Sequence, residues 1–501
     1  MAVARKSDTG LFITRSMAAL AEEEHQAHGP TLRRALGPWA LVAIGLGNMV
    51  GAGIFATIGD GAHNLAGPAV TVSFLIAAII SAFAALCYAE IASMVRVAGS
   101  AYTYTYATVG ELVAWVIGWN LIWEYGMASA PVASTFSSNI QQFLTSVGIK
   151  LPLWATSAYH PHAHTYFDVI AFIAVVGFSA LLAVGIRESA GTNSLLVILK
   201  MGVLVAFIVI GLPFINPANW HPYAPHGWIE YTGGSMLSAI MAAKAGIIPG
   251  AFIVFFAFVG FDAVTTAAEE AHNPQKDVPI GVLGALGLGA FFYVTIAIVL
   301  TGMQPASAID VGAPLAVALT SVGRGGWAWL TVAGAVIGTS SVILTGLLGQ
   351  SRIFFVMARD GLLPKGVAKI HPRFRTPARM TMVVGLIIGI IAGCVPLDQL
   401  LALVNLGTLS AFVLVCIGVL VLRRTQPDRP RTFRTPLVPL VPILGVVTSL
   451  FLMVLGSQVI TWIFFAGWLV VGLAIYFVYG HRHSEERKAR ANGGTPELGR
   501  L

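Results

Sequence analysis

Apolar runs long enough to cross a bilayer recur along almost the whole of this 501-residue chain. A hydrocarbon core of about 30 Å needs about 20 apolar residues per helix. Such runs occupy 38–63, 68–95, 110–143, 166–186, 192–214, 249–271, 278–302, 327–357, 378–395, 399–422, 438–456 and 459–480. Every backbone N–H and C=O inside hydrocarbon has to be satisfied by the chain itself, so runs of this length are helices. The sequence therefore predicts an all-α membrane protein with 12 transmembrane helices. Only 10% of residues are charged, against roughly 25% in a soluble domain, which leaves too little polar surface for a water-soluble fold.

The charges that remain are segregated between the runs, and their sign sets the orientation. With both termini on one side, 25 of the 29 Lys and Arg residues fall in segments on that side, leaving Lys150, Lys244, Arg324 and the intramembrane Lys200. Basic residues mark the cytoplasmic face, so both termini are predicted to be cytoplasmic in a multi-pass cell (inner) membrane protein. The net charge of +7 then reflects orientation in a lipid bilayer and not a nucleic-acid partner. Cys87, Cys394 and Cys416 all lie inside apolar runs, without metal-ligand spacing. Residues 1–36 are polar and mixed in charge and read as a cytoplasmic arm, not a cleavable leader, with a short amphipathic helix over 10–36 at the membrane surface. The remaining divisions are a five-helix set (37–214), an extracytoplasmic loop (215–248), a second five-helix set (249–422), two additional C-terminal helices (423–480) and a cytoplasmic tail (481–501). The tail after Gly480 reads as solvated and disordered.

Two runs are poor continuous helices. The first reads LVAIGLGNMVGAGIFATIG, with Gly45, Gly47, Gly51 and Gly53, each costing about 1 kcal/mol relative to alanine in mid-helix. Close packing through small residues is the bland explanation. The sixth reads PGAFIVFFAFVGFDAVTTAAEE, with Gly260 in mid-span and Asp262 two residues on. These are the first members of two successive five-helix sets, entering the membrane from opposite sides. Interrupted helices in corresponding halves point to a transport site at their breaks. A half-helix starting near Ala52, Gly53 and Ile54 presents unpaired amides and a positive dipole end, suited to a carboxylate. Half-helices ending near Met49–Val50 and near Phe258–Val259 leave carbonyls free for an ammonium group. An α-amino acid carries both groups, although a lone anion or a metal ion can use half of such a site.

Four long segments carry a family resemblance: RRALGPWALVAIGLGNMVGAGIFATIG, GSAYTYTYATVGELVAWVIGWNLIWEY, FFAFVGFDAVTTAAEEAHNPQKDVPIG, and GQSRIFFVMARDGLLP followed by RTPARM. In this order they resemble the amino acid–polyamine–organocation superfamily, and most resemble bacterial relatives of the cationic amino acid transporters. The resemblance implies a five-plus-five inverted repeat similar to leucine-type sodium symporters, with discontinuous helices 1 and 6 and two further helices. It implies a substrate carboxylate on the backbone of Ala52, Gly53 and Ile54, and an amine on carbonyls around Asn48, Met49, Phe258 and Val259. It implies an aromatic lid from Phe258 and Phe261, and in proton-coupled relatives a lysine of the fifth span stands where Lys200 does. Family members often carry threonine at the middle of the Gly-x-Gly motif, where this chain has Ala52 and so lacks a hydroxyl. The family name points to arginine and lysine as substrates, while bacterial relatives also carry neutral amino acids.

The ionisable residues inside runs are functional candidates by default. Lys200 in LLVILKMGVLVAF lies about 12 Å into its run at 1.5 Å per residue, where a charge costs about 2.5–3.5 kcal/mol; snorkelling to the surface is its bland alternative. An amine that holds a proton in one state and releases it in another can couple proton entry to rocking. Glu124 in WNLIWEYG is a second proton-coupling candidate, or else a structural carboxylate bonded to hydroxyls. Asp262 is a gate or pocket group, or else a helix cap. Glu90 reads as architectural, and Glu269 and Glu270 as solvated charges or a gate. Thr345 and Gly346, in the small-residue run GAVIGTSSVILTGLLGQ, either widen a side-chain pocket or serve packing. His160, His162 and His164 invite a metal reading but have no acidic or thiol partner nearby, so no metal site is predicted.

The expected function is secondary active, proton-coupled import of amino acids by alternating access, with no cofactor and H+ as the coupling ion. The alternative on the same fold is an amino acid or polyamine exchanger. A membrane-embedded enzyme is disfavoured because no HExxH pair, paired catalytic carboxylates or suitable GxSxG elbow occurs, and a channel by the low polar content of the runs. A small single-span partner subunit and the oligomeric state are not legible in the sequence.

Overall fold

The computed structural model describes Ile13 and residues 36–94, 101–108, 110–185, 190–230, 245–374, 376–428 and 430–491. The amphipathic helix expected over 10–36 lies outside them, Ile13 and Leu36 apart. Helices occupy all twelve apolar runs: α1 Pro38–Asp60, α2 Val70–Met94, α3 Glu111–Ser146, α4 Val169–Val184, α5 Ala190–Gly211, α6 Ile247–Val254 with its 3-10 continuations, α7 Pro274–Met303, α8 Gly325–Arg359, α9 Ala378–Cys394, α10 Leu397–Thr425, α11 Leu440–Gly456 and α12 Val459–Ile475. Among the described residues, seven helical stretches are long and apolar enough to cross a membrane, with Pro38–Met94 counted as one; α4, α9 and α11 are apolar but shorter.

Local sequence sets the helix ends. The Asp168 side chain accepts from the Ala171 N–H at 3.0 Å and caps α4. Gly185, at φ 92°, closes α4 in the left-handed region, its N–H directed to the carbonyls of Leu181 and Leu182. Pro274 opens α7 at its first position, where a missing N–H costs nothing. The helices pack in a regular order: α2 on α7, α3 on α8 and α4 on α9, with α1 also on α7 and α10 on α3 and α11. Large apolar side chains such as Ile198, Val209, Phe291 and Val470 remain exposed, as befits helices whose outer solvent is lipid.

Two buried carboxylates tie the basic end of the bundle together. Glu90 of α2 pairs with Arg423 at 2.8 Å and Arg431 at 3.1 Å and accepts from the Thr435 N–H at 2.8 Å, so it is architectural, as its sequence context suggested. Glu111 at the start of α3 accepts from Tyr106 Oη and Tyr476 Oη, each at 2.8 Å, from Arg487 Nε at 2.7 Å and from Ser484 Oγ. The expectation of a disordered tail after Gly480 is therefore corrected for residues 481–491. These form helices His481–His483 and Glu485–Ala491, held because a fully buried carboxylate demands a paired cation.

Candidate functional site

Both suspect helices are broken. Inside α1, Val50 (φ −86°, ψ 104°) and Gly51 (φ 158°, ψ −70°) leave helical geometry, and helix resumes at Ala52. α6 tightens to 3-10 form over Phe255–Phe258, opens at Val259 (ψ 131°) and Gly260, and continues as a 3-10 helix over Phe261–Glu270. Gly260 has φ 109°, a region that side chains disfavour, and a Cβ there would lie 2.9 Å from Asn48 Cβ. The two breaks therefore touch. A Cβ on Gly51 would meet the Gly338 carbonyl oxygen at 2.7 Å, and one on Gly53 would clash with Ala257 Cα. Close packing and interruption are thus joint reasons for the glycines of α1.

A cavity of about 500 Å³ starts at the breaks, where Asn48, Val259 and Gly260 form part of its wall, and runs toward Arg352, Thr376 and Thr381. Glu124, Asp262, Thr345 and Gly346 also face it. Thr345 Oγ1 donates to Asn48 Oδ1 at 2.8 Å, and Asn48 Nδ2 donates back to the Ile44 carbonyl at 3.1 Å, linking α8 to the broken helix. Tyr125 Oη approaches Asp262 Oδ2 at 3.4 Å. Neither Glu124 nor Asp262 has a cation within ion-pairing distance among the described residues. Gly346 serves packing as well, since a Cβ there would crowd Ser129 Oγ at 2.8 Å.

Other sequence candidates lie off this wall. Ala52, Gly53 and Ile54 form the first turn beyond the break in α1, where helix amides lack intrahelical acceptors. The Met49 side chain is buried, its Cε against Gly289. The Phe258 ring packs 5.4 Å from Tyr293 and 6.5 Å from Phe74, and the Phe261 ring 5.3 Å from Phe412 and 5.9 Å from Tyr88. Neither ring lines the cavity in this structure: both sit in edge-on or tilted aromatic clusters, and among the aromatic side chains of this helix it is Phe256 that faces the cavity. Lys200 does not snorkel. It is 1% exposed, and Nζ donates to the Gly47 carbonyl at 3.0 Å and to Ser341 Oγ at 2.6 Å. The side chains of Glu269 and Glu270 lie outside the described residues, and His160, His162 and His164 are exposed on a loop.

Sequence reasoning missed Ser341, Tyr125 and Asn405. Asn405 had a visible signal, an amide in the middle of the apolar run LLALVNLG; Ser341 is one hydroxyl among several in α8 and had none.

Helices that break where they meet, beside a cavity lined by the buried carboxylates Glu124 and Asp262, define a membrane transporter built on interrupted helices. The model of the amino acid permease family matches residues 36–480, and the chain belongs to that family within the amino acid–polyamine–organocation superfamily, related to the cationic amino acid transporters. It is 43% identical over 460 residues to the branched-chain amino acid permease BcaP of Bacillus subtilis, covering 91% of this chain and 95% of that protein. It is 39% identical over 459 residues to the methylthioribose transporter of the same organism, covering 92% and 96%. Cationic amino acid transporter 2 of Arabidopsis thaliana is 38% identical over 430 residues, covering 85% of this chain and 66% of that protein.

Proposed function

We propose that this permease imports amino acids together with a proton by alternating access. Its fold on this reading has twelve spans, two inverted five-helix repeats and two further helices, with both termini in the cytoplasm of a cell that holds it in its plasma membrane. The pairing of α2 with α7, α3 with α8 and α4 with α9 supports the repeat, because each pair joins equivalent members of the two sets. The far end of the cavity reaches Arg352, Thr376 and Thr381, in the most basic of the loop regions, so on the positive-inside rule it opens to the cytoplasm.

The substrate carboxylate is assigned to the amides of Ala52, Gly53 and Ile54 and the amine to carbonyls of Asn48, Met49, Phe258 and Val259, with Thr345, Gly346 and Asp262 around the side chain. Asn48 and Val259 already front the cavity, which supports the amine half. Ala128, Phe256 and Val342 add apolar wall near the breaks, and a 43% identical relative is a branched-chain permease. Leucine, isoleucine and valine are therefore the first substrates to test.

The observation that carries proton coupling is the grip of Lys200 on the Gly47 carbonyl, in the last turn before the break, together with Ser341 of α8. A protonated amine makes charge-assisted bonds roughly twice as strong as neutral ones. Proton release loosens residues 38–49 from α8 and lets that half-helix rock. Glu124, facing the cavity with no paired cation among the described residues, is the second proton site.

Reconstitution tests this reading. An inward proton gradient should drive leucine uptake into empty liposomes, and Lys200→Ala should abolish the gradient dependence. An exchanger would stay silent until the liposomes were loaded with amino acid. Undiminished proton-driven uptake by Lys200→Ala would refute the role of the lysine.

A further inference from the structure

Asn405 lies in the middle of α10, fully buried, and its side-chain N–H groups point at another helix. Nδ2 donates to the Phe252 carbonyl at 2.6 Å and to the Ile253 carbonyl at 3.3 Å. Both carbonyls belong to the last α-helical turn of α6, before it tightens to 3-10 form at Phe255, whose own N–H is also directed to the Ile253 carbonyl. The same device occurs in the first set. Lys200 of α5 donates to the Gly47 carbonyl in the last turn of α1 before Val50. In each set the fifth helix donates to carbonyls of the broken first helix on the N-terminal side of its break.

The far attachments match as well. Lys200 also reaches Ser341 on α8. α10 is fastened to α3 on both sides of Asn405, through Trp123 Nε1 to the Leu403 carbonyl at 3.0 Å and Asn120 Nδ2 to Ser410 Oγ at 3.1 Å. α3 and α8 are equivalent members of the two sets, so each grip connects a broken helix to the third helix of the other set. In an inverted repeat, the carbonyl half of α1 faces the cytoplasm and that of α6 faces outward. The two grips then serve opposite gates.

We propose that Asn405 is the positioning residue of the extracytoplasmic gate, pinning Ile247–Val254 closed and releasing it when the transporter opens outward. This inference rests on the repeat reading of the proposed function. In the closed position Ile247–Val254 lies on α2: Ser73 Oγ donates to the Ile247 carbonyl at 2.9 Å, and a Cβ on Gly250 would sit 2.9 Å from Ser73 Oγ. Asn405 Oδ1 has no hydrogen-bond partner among the described residues. An apolar residue of equal size would avoid that orphan acceptor, so the donation to α6 is what the amide contributes. An amide does not titrate in the physiological range. The outer grip is therefore insensitive to protons, and of the two grips only the inner one, held by the lysine, responds to them.

Ser73, fully buried beneath this segment, supplies the reporter. Ser73→Cys is made in the full chain with the exposed Cys394 changed to serine, Cys87 and Cys416 being buried. Labelling by a membrane-impermeant maleimide from the extracytoplasmic side of proteoliposomes is then timed with Asn405 intact, with Asn405→Leu and with Asn405→Ala. Loss of the grip should speed labelling about tenfold in both variants, the factor that corresponds to a single hydrogen bond. Labelling within twofold of the parent would overturn the proposal, as would failure of both variants to fold, which would make Asn405 a residue of stability and not of gating. Leucine uptake by the parent is measured alongside. Its absence would count against the permease reading of the substrate while leaving the labelling result to judge the gate.

Discussion

Glu90 and Glu111 at the basic end of the bundle differ from Glu124 and Asp262 beside the helix breaks, although all four carboxylates are buried. The first two are surrounded by donors: Glu90 by Arg423, Arg431 and the Thr435 amide, Glu111 by two tyrosines, Ser484 and Arg487. The second two face a cavity and have no cation in range among the described residues. A buried charge that is paired holds a structure together, and removing one partner is costly. On the proposed reading, a buried carboxylate beside the cavity with no cation among the described residues serves what enters it. On that reading the contrast separates architecture from transport within one kind of ionisable group, the carboxylate.

The largest effect expected is in the first group. Glu90→Ala strands Arg431, itself almost fully buried, and should cost about 3–5 kcal/mol of stability, read as a lowered unfolding temperature in detergent. Gly260→Ala comes next, because a side chain at φ 109° and 2.9 Å from Asn48 strains the break itself by about 1–3 kcal/mol, with weaker leucine binding. Glu124→Gln should leave thermal stability close to that of the parent, since it strands no cation among the described residues. Its proton-driven uptake should nevertheless fall by about tenfold, equivalent to one hydrogen bond to a charged group. If Glu124→Gln unfolded as readily as Glu90→Ala, the distinction between the two groups would collapse. The smallest effect belongs to Thr345→Val, which deletes the bond to Asn48 at 2.8 Å and should cost about 1 kcal/mol, seen as a severalfold rise in the KM for leucine.

The helices and the two breaks were legible because hydrocarbon imposes a length on every apolar run and glycine marks where a helix yields. Asn48, Glu124, Asp262 and Thr345 were each legible as polar groups in apolar surroundings, and the cavity brings them together. Side-chain direction was not legible. Phe258 and Phe261 flank the break in sequence, yet their rings turn away into clusters with Tyr293 and Phe412, because partners on α7 and α10 decide the rotamer. The docking of 481–491 was equally hidden: its composition is that of a solvated tail, and only the buried carboxylate of Glu111, more than 370 residues earlier in the chain, gives Ser484 and Arg487 a partner. Asn405 shows the same limit, since nothing in LLALVNLG says which carbonyls its amide meets.

The assignment of the substrate to the broken helices is most directly tested by removing one end of the substrate at a time. Affinities of the purified protein for leucine, for leucinamide (no carboxylate) and for 4-methylpentanoate (no amine) are compared by calorimetry. Each missing group forfeits hydrogen bonds to a charge worth about 1.5–3 kcal/mol, so both analogues should bind at least about tenfold more weakly than leucine. Either analogue binding as tightly as leucine would contradict a site in which peptide dipoles hold both ends of the amino acid.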